Sequence, residues 1–245
     1  MTKSNLKNKK ILITGGPVWV PLDKIRVITN VFTGALGLLI AKEAVKSGAM
    51  TTLLLGPSPL LLAAKLPKNL KIIRFNFFDE LYKLMKKEIS SRQYDVVIHS
   101  AAVADFMPEK NTEGKISSEN KNLVIKLKPS PKIADKIKEW DPKIFLVKFK
   151  LEVNRTQKEL IKRAYKSTRV SRADLVVAND FKDINIEKGK HRAFIIDPAP
   201  FGYESNETKK EPFLARLFAK RRGVIVCQTK KEIAKKLLNI IIKKI

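Results

Sequence analysis

Short apolar runs return along this chain, and segments of helical periodicity lie between them. ILIT after Lys10, MTTLLLG, LKIIRFN, YDVVIHSAAV, KIFLVKFKLE and ADLVVAND are too short for globular helices and, for the most part, too continuously apolar for strands with one wet face. Strands of this kind, alternating with helices, form a mostly parallel sheet through right-handed crossovers. The expected fold is therefore α/β, a Rossmann-like mostly parallel sheet flanked by helices, with a β-ribbon and flap excursion.

The helical segments are placed by spacing. Leu36, Leu39, Ile40, Ala44 and Val45 share a helical stripe that begins at about Gly34 and closes at Gly48. Phe78 to Ile89, Ser130 to Trp140 (with Pro131 in its first turn), Thr156 to Ser167 and Thr229 to Ile242 are predicted helices. Asp105 to Asn122 is polar and aperiodic, a loop, and LVIKLK after it is a candidate ribbon strand. HRAFIID and GVIVCQ are further strands, separated by a Pro- and Lys/Arg-rich insertion over 197–223. Residues 1–9 read as a polar tail, and the whole of 1–245 as one domain.

Composition removes several function classes. The single cysteine, Cys227, excludes an internal disulfide framework, and two histidines, His99 and His191, make a histidine-rich metal centre a poor reading, so no metal ligands are assigned. No run approaches a membrane span and the lysine-rich start lacks an apolar core, so the expectation is a cytoplasmic chain without a membrane partner. The net charge of +26 comes from lysines spread along the sequence, with no nucleic-acid-binding motif, and reads as a solvated surface without a specific nucleic-acid partner.

In an open parallel sheet, ligands sit beyond the carboxyl ends of the strands. Three ends are suggestive: TGGP, AAVAD and AND. Gly15, Gly16, Ala101 and Ala102 would admit a ligand against the backbone, and the helix starting at Gly34 would offer N–H groups to a phosphate. The compact dinucleotide fingerprint is missing, because a long glycine-bounded segment intervenes before the helix, and no acidic residue ends MTTLLLG. A Walker A pair and a Ser-His-Asp set are missing too.

The order GGP, PLDKIRVITN, TG, HSAAVADF, GKISS, KPSPKI, FLVKFKLE and ADLVVAND resembles phosphopantothenate–cysteine ligase. The resemblance runs from Ile11 to Asp197 and resumes in QTKKEIAKKLL; it is to the stand-alone form, without the flavin-dependent decarboxylase that is fused upstream in many bacteria. It implies a ligase of coenzyme A biosynthesis that joins 4′-phosphopantothenate to cysteine through an acyl-nucleotidylate, with CTP or ATP and Mg2+, and a homodimer.

Carried over by the resemblance, Asn30 acts at the acyl-nucleotidylate, orienting either its carbonyl or the incoming amine. Asp105 contacts the nucleotide, and Lys115 is the flap lysine that neutralises charge as pyrophosphate leaves. Pro131 and Ile133 line the base site, Phe149 lies beside the nucleotide, Lys166 holds the triphosphate, and Asn179 ends the neighbouring strand on the substrate side. The chain departs from the family pattern at Val18-Trp19-Val20, Val31-Phe32, Lys148 (commonly glycine) and Val170 (a second triphosphate lysine), with Arg169 and Arg172 as substitutes for the last. Two other readings stand beside the ligase: a divergent nucleotide-binding relative without that activity, and a Rossmann-type NAD(P)-dependent reductase.

Overall fold

The computed structural model describes residues 6–59, 65–110, 113–119, 121–185, 187–198 and 223–245. Eight strands form the main sheet: β1 (Lys10–Gly15), β2 (Met50–Leu55), β3 (Leu70–Arg74), β4 (Val96–His99), β5 (Phe145–Glu152), β6 (Leu175–Asp180), β7 (Ala193–Ile196) and β8 (Val224–Cys227). Their order is β8-β7-β6-β5-β4-β1-β2-β3. The first six run parallel, β7 is antiparallel to β6, and β8 is antiparallel to β7. The order reverses between β1 and β4, which opens a crevice beyond their carboxyl ends.

Alternation along each strand sorts the core into two layers. Ile11, Ile13, Ile98, Val147 and Val177 face α1 (Ala35–Lys46) and the C-terminal helix (Lys230–Ile242), which buries Ile233, Leu237 and Ile241. Leu12, Val97 and Leu146 face α2 (Phe78–Ser90) and α3 (Ile133–Trp140), while Val176 and Ala178 meet α4 (Gln157–Ser171). Thr156 caps α4, accepting from Glu159 N at 3.3 Å while the Glu159 carboxylate accepts from Thr156 N at 3.0 Å. That reciprocal cap contributes about 1 kcal/mol. At the start of α2, Glu80 accepts from Asn76 N (2.7 Å) and Phe77 N (3.3 Å), so only the back-reaching half of a box operates: phenylalanine has no acceptor.

Several boundaries differ from expectation for identifiable reasons. YDVVIHSAAV holds a strand of four residues only, because Ser100 N, Ser100 Oγ and Ala101 N all turn onto Thr14 (3.2, 2.6 and 3.1 Å) instead of extending the ladder. The Asp105–Asn122 loop contains a short strand, Phe106–Pro108, which pairs with Leu127–Pro129; only the last two residues of LVIKLK join that ribbon. The extended chain persists to Ser130, so α3 starts at Ile133, and Pro131 precedes the helix. α4 continues past Ser167 to Ser171, since the hydroxyls of Thr168 and Ser171 bond back to Tyr165 O (2.7 Å) and Ser167 O (3.2 Å) and bury the polar residues that break the apolar stripe.

The tail is shorter than its composition suggested: Leu6 is buried and its N–H donates to Ser47 O at 2.9 Å. Most of the 197–223 insertion lies outside the described residues. Its two ends meet where Asp197 N donates to Gly223 O at 2.7 Å, so it is the connection of the β7–β8 hairpin.

Candidate active site

The crevice is built around the glycine-bounded loop from Gly16 to Gly34. After β1 the chain pairs again with the residues following β4: Ala102 N donates to Gly16 O (2.9 Å), and Val18 N to Ala102 O (3.3 Å). Asn30 Nδ2 donates to the same Ala102 carbonyl at 2.9 Å. This orients the amide, leaving its oxygen as the acceptor. Gly34, with φ 79°, lies on Gly16; a Cβ there would come within 2.8 Å of Gly16 N. Gly15 and Gly16 are themselves buried, and they serve first to let backbone pack on backbone: Gly37 lies against Gly15 in the same way.

Asp105 stands on the other wall, ion-paired with Lys132, while its carbonyl accepts from Ser130 N at 2.9 Å. Ser130 Oγ is buried without a hydrogen-bond partner. Pro131 is exposed between Ser130 and Lys132, and the Ile133 side chain is in the core, so Ile133 can offer a ligand only its backbone. Asn179 is buried at the end of β6, and Phe149 packs against the core layer under α1. Lys166 is exposed on α4, nine residues beyond the first residue of the helix and thus about 13 Å along its axis. Of the sequence-predicted residues, Asn30, Gly16, Gly34 and Ala102 are brought into mutual contact, and Lys115 is tied to the same loop through its neighbours Gly114 and Ile116.

A row across the sheet underlies the crevice: Thr14, His99 and Lys148 are in register on β1, β4 and β5. Thr14 Oγ1 accepts from Ala101 N at 3.1 Å and shares a hydrogen bond with His99 Nδ1 at 2.9 Å. Burial, reinforced by the Lys148 ammonium, pushes the His99 pKa down to about 4. The Lys148 ammonium donates to Ser167 O (3.3 Å) and lies 3.9 Å from Asp135, between α4 and α3. Burial lowers its pKa; Asp135 opposes this, and Lys150 and Lys132 add to it.

Because both histidines are held neutral, with pKa about 4 against 6.5 when unfolded, their contribution to stability is complete above pH 6.5 and is lost as pH falls toward 4. For His99 the loss is roughly 3 kcal/mol. Urea unfolding between pH 7 and pH 4 should show this slope, and His99→Asn should remove about half of it. An unchanged slope would mean that His99 is already charged in the fold.

The other departures are explained locally. Val18 and Val20 are core residues, and Trp19 meets Phe77 edge-on at 5.9 Å, with Trp19 N donating to Asn76 O at 2.9 Å, so the apolar triplet anchors the loop on the start of α2. Phe32 meets Phe181 edge-on at 6.4 Å, while Val31 and Val170 are exposed. Sequence reasoning missed Asp23, Arg26, Ser130 and Lys132. An aspartate and an arginine three apart in PLDKIR were a legible turn signal; an orphaned serine hydroxyl leaves no mark in sequence.

Residues 6–223 match the family described as DNA/pantothenate metabolism flavoprotein C-terminal domain. The chain belongs to this family. A DNA/pantothenate metabolism flavoprotein from Streptococcus pneumoniae has a similar structure, with a TM-score of 0.78 and 30% identity over 97% of this chain and 100% of that one. The C-terminal domain of the coenzyme A biosynthesis bifunctional protein CoaBC gives a TM-score of 0.71 and 25% identity over 99% and 98% of the two chains. The CoaBC protein of Thermococcus kodakarensis is 35% identical over 233 residues, 95% of this chain and 51% of that protein. The chain thus spans about half the length of the curated relatives it matches. Among the described residues, no helix is long and apolar enough to cross a membrane. Among those residues no three His, Cys, Asp or Glu side chains converge on a metal-sized site.

Proposed function

We propose that the chain joins 4′-phosphopantothenate to L-cysteine with CTP or ATP, forming an acyl-nucleotidylate on the way. The pantothenate carboxylate attacks the α-phosphorus and pyrophosphate leaves; the cysteine amine then attacks the acyl carbon, loses a proton, and releases the nucleoside monophosphate. Neither step needs a nucleophilic side chain, only positioning and charge neutralisation. The observation that carries the reading is the Asn30 amide fixed on Ala102 O at the switch point of the sheet, with the Lys115 segment hydrogen-bonded to the same loop.

In this reading the Asn30 oxygen accepts from the incoming amine, and Lys115 neutralises the departing pyrophosphate. Asp105, Ser130 and the backbone around Pro131 and Ile133 hold the nucleotide, with Gly34 at the phosphate end. Lys166 supplies cationic charge from α4, Phe149 backs the nucleotide, and Asn179 faces the substrate. Mg2+, when bound, would supply further charge neutralisation. By the same resemblance we read the enzyme as cytoplasmic and homodimeric, with the exposed Leu123, Val124 and Ile125 as apolar surface for self-association. The reductase alternative is disfavoured by the long loop between β1 and α1, which leaves no compact turn for a dinucleotide pyrophosphate.

Purified protein given phosphopantothenate, cysteine, Mg2+ and either CTP or ATP should release pyrophosphate and form the cysteine amide. Failure with all four nucleoside triphosphates, from a folded protein, would replace the ligase with the inactive nucleotide-binding relative.

A further inference from the structure

The loop between Gly16 and Gly34 carries its own hairpin, Val20–Pro21 paired with Val27–Ile28, and the turn between them is closed by Leu22 N on Arg26 O at 2.9 Å. Asp23 lies in this turn with its side chain wholly buried. Its Oδ1 accepts from Ile25 N (2.9 Å) and Arg26 N (2.8 Å), and its Oδ2 from Arg26 Nε (2.8 Å) and Ile116 N (3.1 Å). Arg26 Nη2 donates in turn to Ile116 O at 2.6 Å, and Lys24 N donates to Gly114 O at 3.1 Å.

These contacts have a consequence for Lys115. Both of its neighbours are anchored: the carbonyl of Gly114, and the N–H and carbonyl of Ile116. The exposed Lys115 side chain projects from between two fixed peptides that are about 90 positions away in sequence from their anchors. A buried carboxylate is tolerated only when its acceptor sites are filled; three donors to Asp23 come from the turn itself, Ile25 N, Arg26 N and Arg26 Nε, and the fourth, Ile116 N, comes from the Lys115 segment. Docking of that segment completes the set of donors around the carboxylate. Arg26 is also only four residues before Asn30.

We propose that Asp23 and Arg26 are positioning residues that clamp the Lys115 segment to the Asn30 loop, so that the groups serving the two half-reactions share one rigid element. The inference rests on the ligase reading for its kinetic arm only. Burial alone would raise the Asp23 pKa, but the donors from Ile116, Ile25 and Arg26 outweigh it and hold it at about 2, so the clamp stays charged across the working pH range.

The test uses Asp23→Asn and Arg26→Lys in the full chain, with two readouts. The first is hydrogen exchange at the Ile116 amide. The second is single-turnover pyrophosphate release without cysteine, with the maximal rate constant and the phosphopantothenate concentration giving half of it determined separately. Asparagine replaces one acceptor oxygen by a donor, so Asp23→Asn should speed exchange at Ile116 by tenfold or more. It should lower the maximal rate constant of the first half-reaction by about 10- to 100-fold, with the half-saturating phosphopantothenate concentration changed by less than about threefold. Arg26→Lys keeps the charge but loses the fork, and should fall between that variant and the parent. If Asp23→Asn does not fold, Arg26→Lys decides alone. Unchanged exchange at Ile116 overturns the clamp, and faster exchange with an unchanged release rate reduces Asp23 to a turn residue. Should the parent chain release no pyrophosphate, the ligase reading fails, while the exchange result still decides whether the clamp exists.

Discussion

Gly34→Ala is expected to lower the melting temperature by about 6–12 °C and to abolish most of the activity. Gly34 precedes α1 with φ 79°, a left-handed conformation that costs an alanine about 1–2 kcal/mol. The added Cβ would also lie 2.8 Å from Gly16 N and 2.9 Å from Gly16 Cα. These are backbone atoms held in turn by Ala102, so neither side can yield without opening the crevice. Strain and overlap together cost roughly 3 kcal/mol, which for a chain of this size is a shift of about 2–4 °C per kcal/mol. Gly189→Ala is the control: φ is 63° there, with nothing within 4 Å of the new Cβ. It should cost only the conformational strain. Equal melting temperatures for the two variants would show that the Gly16–Gly34 contact does not constrain the loop.

Asn30→Asp should separate the two half-reactions. In the native chain the amide nitrogen donates to Ala102 O at 2.9 Å, which aims the oxygen away from that carbonyl. A carboxylate has no proton to donate there, so the side chain rotates, and the acceptor for the amine is lost or misplaced. The cysteine-dependent step is expected to slow by about 10²- to 10³-fold, the range associated with loss of one preorganised polar contact. In the proposed ligase reaction, pyrophosphate release in the absence of cysteine would depend on Lys115 and the nucleotide site, and should change by only a few-fold. A rapid-quench burst of acyl-nucleotidylate followed by slow decay is the expected trace. Equal loss of both steps would assign Asn30 to substrate binding as a whole.

The parts of the fold that were legible in sequence are those where one local signal suffices. ILIT, TTLLL and LVVAN are apolar on both faces and could sit only where helices cover both faces; all are central strands. Thr156 with Glu159, and Thr229 with Glu232, marked helix starts because a cap acts across three residues. The ribbon was half-legible, since Phe106–Pro108 carries no pattern of its own and is a strand only because Leu127–Pro129 pairs with it. The site divides in the same way. TGGP, the ITN asparagine and AAVAD were recognisable as segments. Nothing local indicated that the smallness of Gly16 serves Gly34, or that a lysine at 148 would turn toward Ser167 rather than across the rim.

The sequence by itself determined the alternation of strands and helices, the parallel sheet, and the segments from which a crevice would be made, because apolar period and capping are properties of neighbours in the chain. Tertiary structure decided which of those segments touch. Asp23 and Ile116 meet across 93 positions, and Asn30 and Ala102 across 72. Such contacts are selected by the need to fill every acceptor on a buried carboxylate and every free backbone carbonyl once the sheet has brought the strand ends together.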